Sequence, residues 1–256
     1  MRPWALVTGA SQGIGLALAR LAAADGYRLV LVARDAGRLK EIERELAAGH
    51  ATEVLGVALD LGEPRSVPTL LSLLRARAIV PELLINSAGV GLYGRHAETP
   101  AAADEQLLAV NVVAPTALTR GLLPELLRRG SGRILNVAST AAFVPGPYMA
   151  VYYASKAYVL SYSEALAEEL KGSGVTVTAL CPGPTATAFQ ARAGLTRRRL
   201  EPAGDPATVA RAGYRALKAG RRVCIPGLRN RLWTALGRAL PRGWVSAALA
   251  RRFKPR

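Results

Sequence analysis

Residues 8–15 read TGASQGIG, and they lie between an apolar run at residues 5–8 and a helical pattern at residues 14–25. A glycine loop between a strand and a helix lets the backbone approach a pyrophosphate closely, because glycine has no Cβ atom. The free N–H groups and partial positive charge of the helix N-terminus favour the same phosphates. The spacing Gly-x-x-x-Gly-x-Gly therefore indicates a dinucleotide site, with a plain tight turn as the alternative.

Short apolar runs alternate with helical patterns along most of the chain. Runs that are apolar on both faces are typical of a parallel sheet covered by helices on both sides. Their alternation with helices predicts a doubly wound α/β domain of about seven strands. The strands are expected at residues 5–8, 28–33, 54–59, 83–86, 133–138, 175–180 and 223–225, and the helices at residues 14–25, 36–48, 67–77, 101–128 and 152–171.

Charge is concentrated at one end of the chain. The 256 residues carry a net charge of +16, and half of them are apolar, which is enough for a large buried core. Residues 192–256 contain 17 basic and 2 acidic side chains, so their net charge is +15. Any argument for nucleic acid or for an anionic membrane therefore applies to this last quarter alone.

The cysteines and the two long uncharged stretches indicate in which cellular compartment the protein is expected. Cys181 and Cys224 provide neither a disulfide framework nor a zinc motif, which fits a reducing compartment. The N-terminus leads directly into a strand without a signal sequence, so a cytoplasmic protein is expected. Residues 134–155 and 172–191 are uncharged, but Pro-Gly-Pro interrupts each, and neither is predicted to span a membrane.

The end of the second strand carries Arg34 and Asp35 next to each other. At this position an acid binds the adenosine ribose, whereas an arginine accepts a 2′-phosphate. Arg34 is the first residue after the apolar run and Arg38 follows one helical turn later, which favours NADP(H) over NAD(H). Alternatively, Asp35 is a helix N-cap and Arg34 is a solvated strand end.

Residues 152–156 read YYASK. Residues four apart share one face of a helix, so the Tyr152 hydroxyl and the Lys156 ammonium are expected to be neighbours. A nearby positive charge favours the phenolate form of tyrosine. Such a tyrosine can donate a proton to a carbonyl oxygen or accept one in the reverse reaction.

Six elements in this order and spacing resemble the single-domain form of the short-chain dehydrogenase/reductase superfamily. They are TGASQGIG at residues 8–15, NSAG at residues 86–89, Asn111, Ser139, YYASK at residues 152–156 and PGPTAT at residues 182–187. The resemblance covers residues 4–226. It implies a Rossmann-like fold and hydride transfer between NAD(P)(H) and a ketone or secondary alcohol, in a homodimer or homotetramer.

The resemblance also implies a role for each matching residue. Ser139 would hydrogen-bond the substrate oxygen and Tyr152 would be the acid/base. Lys156 would hold the nicotinamide ribose and lower the Tyr152 pKa, and Asn111 would position a proton-relaying water. The expected cofactor contacts are Gly9, Ser11, Gln12, Gly13, Ile14, Gly15, Arg34, Arg38, Asp60, Leu61, Asn86, Ala88, Gly89, Tyr152, Lys156, Pro182, Gly183, Thr185 and Thr187. No metal ligands are expected.

Three positions depart from the usual pattern of the superfamily. Ser87 replaces an asparagine, and Thr185 replaces an apolar residue. Gln12 stands where many NADP-preferring members have a basic residue, which argues against NADP(H).

Two further segments are expected to contact the substrate. Residues 143–149 are expected to line the pocket, and residues 186–201 to form a lid with Gly194 as its hinge.

Residues 1–228 would form the cofactor-binding domain. Residues 229–256 predict two short basic amphipathic helices separated by Pro241.

The basic extension has three interpretations. Its apolar faces could cover the substrate cleft or a second subunit, or they could contact an anionic membrane at its inner face. No motif supports nucleic acid. For the whole chain, the alternatives to an enzyme acting on an apolar ketone or alcohol are a non-catalytic NADP(H) sensor and a membrane-surface protein that acts through this extension.

Overall fold

The computed structural model describes residues 2–195 and 203–255, and a parallel sheet forms its centre. The strands are β1 (Trp4–Thr8), β2 (Arg28–Ala33), β3 (Val54–Ala58), β4 (Pro81–Asn86), β5 (Gly132–Val137), β6 (Val175–Leu180) and β7 (Val223–Cys224). Their order in the sheet is β3-β2-β1-β4-β5-β6-β7, and every pair of neighbours is parallel. This confirms the doubly wound, Rossmann-like fold.

The helices lie on both faces of the sheet. They are α1 (Gly13–Ala24), α2 (Ala36–His50), α3 (Ser66–Ala76), α4 (Ala101–Leu108), α5 (Ala114–Arg129), α6 (Ala150–Glu169), α7 (Phe189–Arg192), α8 (Pro206–Lys218), α9 (Leu228–Ala239) and α10 (Arg242–Phe253). Helices α1, α2 and α8 contribute to the core on one face. Helices α3, α5 and α6 contribute to the core on the other. Two packed faces explain why the strands are apolar throughout rather than alternating.

The candidate site lies beside β1, where the order of the strands in the sheet reverses. The chain runs from β1 to β2 and β3 on one side and returns to β4 on the other, which opens a crevice at the carboxyl ends of β1 and β4. The Thr8 hydroxyl accepts hydrogen bonds from the backbone N–H groups of Ser87 (3.0 Å) and Ala88 (3.1 Å). The loops after β1 and β4 are therefore held together at the crevice.

Two segments differ from the sequence prediction. The helix expected at residues 101–128 contains a π-helical segment, Ala109–Val113, between α4 and α5. Helix α8 was not predicted, although Asp205 caps it by accepting hydrogen bonds from the N–H groups of Ala207 and Thr208, and Pro206 occupies its first turn. Of the expected lid at residues 186–201, residues 196–201 lie outside the described residues.

The continuous helical stretch Ala101–Arg129 is long and apolar enough to cross a membrane by length and composition. In this fold it lies against the sheet, and Leu118, Leu122 and Leu126 are buried in the core between α3 and β5. The core therefore accounts for the apolar residues on its inner face.

Candidate active site

Glycines shape the loop between β1 and α1. Gly9 has a φ of +65°, and a Cβ atom there would lie 2.8 Å from the Ala88 backbone. A Cβ atom on Gly15 would lie 2.2 Å from the Gly9 carbonyl oxygen, and one on Gly13 would lie 2.9 Å from the Thr187 side chain. Gln12, the N-cap residue of α1, makes no side-chain cap. The N–H groups of the first turn are thus available to an anion.

A cleft of about 580 Å³ extends from this loop along the carboxyl edge of the sheet. Ser139 lines it, and so do all of the expected cofactor contacts except Arg38 and Asn86. The expected residues on its wall are Gly9, Ser11, Gln12, Gly13, Ile14, Gly15, Arg34, Asp60, Leu61, Ala88, Gly89, Tyr152, Lys156, Pro182, Gly183, Thr185 and Thr187. The tertiary structure therefore brings residues from six loops into one surface.

At the β2 end of the cleft, Arg34 is exposed and its guanidinium lies 3.7 Å from the Asp60 carboxylate. The Asp35 carboxylate caps α2 by accepting from the N–H of Arg38 at 2.9 Å. The Arg38 guanidinium pairs with Glu41 at 2.6 Å, away from the cleft wall. Arg34 is therefore the arginine that can meet a group bound at this end.

Ser139 and Tyr152 meet at the other end of the cleft. The Ser139 Oγ accepts a hydrogen bond from the N–H of Ala141 at 3.1 Å, so its proton remains available for donation. Ser139 also hydrogen-bonds the Tyr152 hydroxyl, which lowers the Tyr152 pKa. Burial has the larger effect and raises the pKa of Tyr152 to about 12. The phenol is therefore protonated at neutral pH.

Lys156 is buried beside Tyr152. Its Nζ donates to the Val137 carbonyl at 2.9 Å and lies 5.9 Å from the centre of the Tyr152 ring. Burial lowers the pKa of Lys156 to about 8. In the protein alone burial raises the Tyr152 pKa and Ser139 opposes the rise, so a lowering of this pKa by Lys156 stays a prediction.

Asn111 lies in the π-helical segment and connects three parts of the site. Its Oδ1 accepts from the N–H of Val90, and its Nδ2 donates to the Val90 carbonyl and to the Ser155 hydroxyl. Ser155 in turn donates to the Tyr152 carbonyl at 2.7 Å. The structure thus places Asn111 behind Tyr152 as a support between the loop after β4 and α6. A π-bulge at such a position is typical of functional sites.

Asn86 lies below the cleft and joins two strands. Its Nδ2 donates to the Asn136 Oδ1 at 2.8 Å across the ends of β4 and β5. Asn86, Asn111, Asn136 and Lys156 also line a small internal cavity of about 10 Å³. This volume is close to what one water molecule needs.

Aromatic residues line the substrate side of the cleft. Phe189 lies against Tyr152 with 5.2 Å between ring centres, and Tyr153 and Phe253 also line the cleft. Phe253 ends α10, and its carbonyl accepts from the Tyr93 hydroxyl at 2.7 Å. The only signal for Phe253 in the sequence is the four-residue spacing from Leu249.

Helix α10 closes this side of the site. Val245 and Leu249 are buried against Val144, and Tyr153 and Phe253 pack on the same cluster. Of residues 143–149, Met149 lines the cleft, whereas Phe143 and Val144 pack in apolar clusters beside it. The basic extension reaches the cleft wall through Phe253, and its role as a cover of the cleft stays a prediction.

Comparisons with known proteins agree with this site. A family model described as short chain dehydrogenase matches residues 3–198. A short chain dehydrogenase from Pseudocercospora fijiensis is 35% identical over 181 residues, which make up 70% of this chain and 58% of the relative.

Two solved structures are similar over most of their length. A short-chain dehydrogenase from Sphingobium yanoikuyae in complex with NADPH has 34% identity and a TM-score of 0.85, covering 91% of this chain and 92% of that one. The bulky-bulky ketone specific alcohol dehydrogenase from Comamonas testosteroni has 31% identity and a TM-score of 0.81, covering 93% and 91%.

Replacing Gly9 by alanine tests the glycine loop. The new Cβ would meet the Ala88 backbone in a backbone conformation that costs an alanine about 1–2 kcal/mol. We expect nicotinamide dinucleotide binding, measured by fluorescence titration, to weaken about tenfold or more.

Gly49→Ala is the matched control, because a Cβ atom there meets no other atom within 4 Å. It should leave binding unchanged and raise the unfolding free energy by about 0.5–1 kcal/mol. Equal binding by the Gly9 variant and this control would contradict the assignment of the loop.

Proposed function

Because this chain belongs to the short-chain dehydrogenase family and is therefore an oxidoreductase, we propose that it interconverts an apolar ketone and its secondary alcohol with NADP(H). The observation that carries this proposal is the pairing of Ser139 and Tyr152 on the wall of the cleft, where their hydroxyl groups lie within hydrogen-bonding reach of each other.

The proton chemistry follows from the two hydroxyl groups. Ser139 donates a hydrogen bond to the carbonyl oxygen of the substrate, since its own oxygen is already held by the N–H of Ala141. Tyr152 donates its proton to the same oxygen as the carbonyl carbon is reduced, and takes a proton from the alcohol in the reverse direction. A Tyr152 pKa of about 12 keeps this proton on the phenol at neutral pH, so the group is present in its acid form.

The cofactor fits the glycine loop and the cleft. The nicotinamide ring supplies the hydride that the carbonyl carbon accepts. The first turn of α1 would hold the pyrophosphate, and Lys156 would donate to the hydroxyls of the nicotinamide ribose. Lys156 has one donor fixed on Val137, which leaves its other N–H groups for this purpose.

The preference for NADP(H) rests on the β2 end of the cleft. Arg34 lines the cleft and Asp35 is engaged as a helix cap, so the positive group is the one that can meet a 2′-phosphate. The Asp60 carboxylate, 3.7 Å away, holds Arg34 near this position. The similar structure from Sphingobium yanoikuyae contains NADPH.

The apolar substrate is proposed from the lining of the cleft near Tyr152. Phe189, Tyr153, Met149 and Phe253 form this wall, and aromatic rings contribute large apolar contacts without satisfying charged groups. The similar Comamonas testosteroni enzyme is specific for bulky ketones.

We also propose self-association through the two long helices of the fold. Leu108, Val113, Leu127 and Tyr158 are large apolar side chains that α4, α5, α6 and the π-helical segment leave exposed. Such a patch is typical of a subunit contact.

Replacing Tyr152 by phenylalanine tests the proposed acid. The variant keeps the ring but loses the proton donor, so we expect kcat for ketone reduction to fall by about 10²- to 10⁴-fold while NADPH binding stays within about twofold. Stopped-flow and steady-state oxidation of NADPH measure both quantities.

Tyr153→Phe is the control, because its ring lines the same cleft next to Tyr152. It should retain kcat within about threefold. If the Tyr152 variant reduced ketones as fast as this control, the proposed chemistry would be wrong.

Replacing Arg34 by alanine tests the cofactor preference. Loss of a charge-assisted bond to phosphate should weaken NADPH about ten- to a hundredfold and leave NADH nearly unchanged. Arg38→Ala removes the same charge from a residue that pairs with Glu41 outside the cleft, and should affect neither cofactor. Isothermal titration of both cofactors gives the comparison, and parallel losses for NADPH and NADH would reject a phosphate contact.

The lowered pKa of Lys156 predicts a pH dependence. Below about pH 8 the side chain is charged, and above it the amine is neutral, so kcat/KM for NADPH should fall as pH rises through about 8. No second decline from Tyr152 is expected there, because its pKa is about 12. A profile that stays level from pH 7 to about pH 9.5 would contradict a role for the Lys156 charge.

A further inference from the structure

Helix α9 has the reverse of the usual amphipathic arrangement. Its inner face consists of Asn230, Thr234 and Gly237, and Thr234 is buried. A Cβ atom on Gly237 would lie 2.7 Å from Val144, and one on Gly183 would lie 2.4 Å from the Asn230 side chain. Polar and small residues therefore hold α9 on the active-site loops.

The apolar residues of α9 face solvent instead. Leu228, Leu232 and Leu236 are 72%, 63% and 52% exposed and follow one another at four-residue intervals on one side of the helix. Leu240 and Trp233 extend this surface, which we name the α9 stripe. Trp244, 71% exposed at the start of α10, continues it. Surface helices of globular proteins normally bury such residues.

Arginines lie within the α9 stripe and along one edge of it. At 100° per residue, Arg229 falls between Leu236 and Leu240 around the helix. Arg231 and Arg238 follow the leucines along the edge, where Arg231 donates to the Ile225 carbonyl and Arg238 lies over the Phe143 ring. Arg242 lies beside Leu240 and Trp244 in sequence. Residues 206–256 contain no aspartate or glutamate, so this part of the sequence is strongly basic.

We infer that the α9 stripe and Trp244 form a docking surface for an anionic lipid bilayer. Leucine and tryptophan side chains enter the boundary between headgroups and acyl chains, while flanking arginines bind the lipid phosphates. The positive charge of this face favours a bilayer over a second copy of the chain as its partner. Two copies related by a two-fold axis would bring one positively charged face against itself, whereas an anionic surface complements it.

The docking surface adjoins the substrate side of the cleft. Gly237 of α9 contacts Val144, and α10 continues from Trp244 to Phe253 on the cleft wall. Bound to a bilayer through this face, the protein would hold the apolar end of its cleft near the source of an apolar ketone.

Vesicle co-sedimentation of the full chain tests this inference without substrate or turnover. We expect the protein to bind vesicles of phosphatidylglycerol at least about tenfold more strongly than vesicles of phosphatidylcholine, since each arginine near an anionic surface contributes about fivefold. The fluorescence of the exposed tryptophans should shift to the blue on binding. Leu232→Gln/Leu236→Gln should lower the partition coefficient at least about tenfold, with thermal unfolding and NADPH binding unchanged.

Two double variants test whether vesicle binding depends on the charges beside the α9 stripe or on the net charge of the whole protein. Arg229→Gln/Arg242→Gln removes two charges beside the α9 stripe and should weaken anionic binding about tenfold or more. Arg44→Gln/Arg65→Gln removes two exposed charges elsewhere and should change binding by less than about twofold.

Three results would overturn the inference. They are no sedimentation of the wild-type chain with phosphatidylglycerol vesicles, unchanged sedimentation of Leu232→Gln/Leu236→Gln, and a fall in the oligomeric mass of that variant in sedimentation equilibrium, which would assign the face to a second copy. None of them depends on ketone reduction, so the docking surface and the proposed reaction can fail independently.

Discussion

The site depends on a close approach between the backbones of Gly9 and Ala88 at the point where the sheet reverses its strand order. The contact leaves no room for a Cβ atom, and the Thr8 hydroxyl holds it by accepting from two N–H groups of the loop after β4. This joins the loops after β1 and β4 into one wall. The first turn of α1, whose N–H groups are available to an anion, begins on the same wall.

Burial is the second constraint, and it acts on the two ionisable groups of the site in opposite senses. It raises the Tyr152 pKa and lowers the Lys156 pKa, because each shift favours the neutral form of the side chain. Hydrogen bonds then hold each of these side chains in position. Val137 anchors Lys156, Ser139 meets Tyr152, and Asn111 supports α6 through Ser155. At neutral pH Tyr152 is therefore neutral, whereas Lys156, with a pKa of about 8, still carries its charge.

The two helices of the basic extension differ in where their apolar residues lie: α10 buries Val245 and Leu249, whereas α9 exposes its leucines. Through Val245, Leu249 and Phe253, α10 completes the substrate side of the cleft. Through polar and small residues, α9 attaches to the same region and leaves its leucines outside. The sequence pattern of apolar residues and arginines fits either a cover or a membrane contact. The two helices differ in this respect, because α10 packs on the cleft region whereas α9 presents the surface that we propose for a bilayer.

The sequence alone determined the fold class, because apolar runs that alternate with helical patterns permit few arrangements other than a covered parallel sheet. It also indicated the residues of the cleft wall, since the glycine loop and the Tyr152–Lys156 spacing are local patterns that carry their own geometry. It did not determine which of Arg34 and Arg38 faces the cleft, that Asn111 hydrogen-bonds both the loop after β4 and α6, or that Phe253 reaches the cleft wall. Each of these depends on contacts between residues far apart in the chain, such as Arg34 with Asp60 and Tyr93 with Phe253. The direction of the Tyr152 pKa shift was likewise decided by the tertiary structure, because desolvation arises only when distant segments exclude water from the same space.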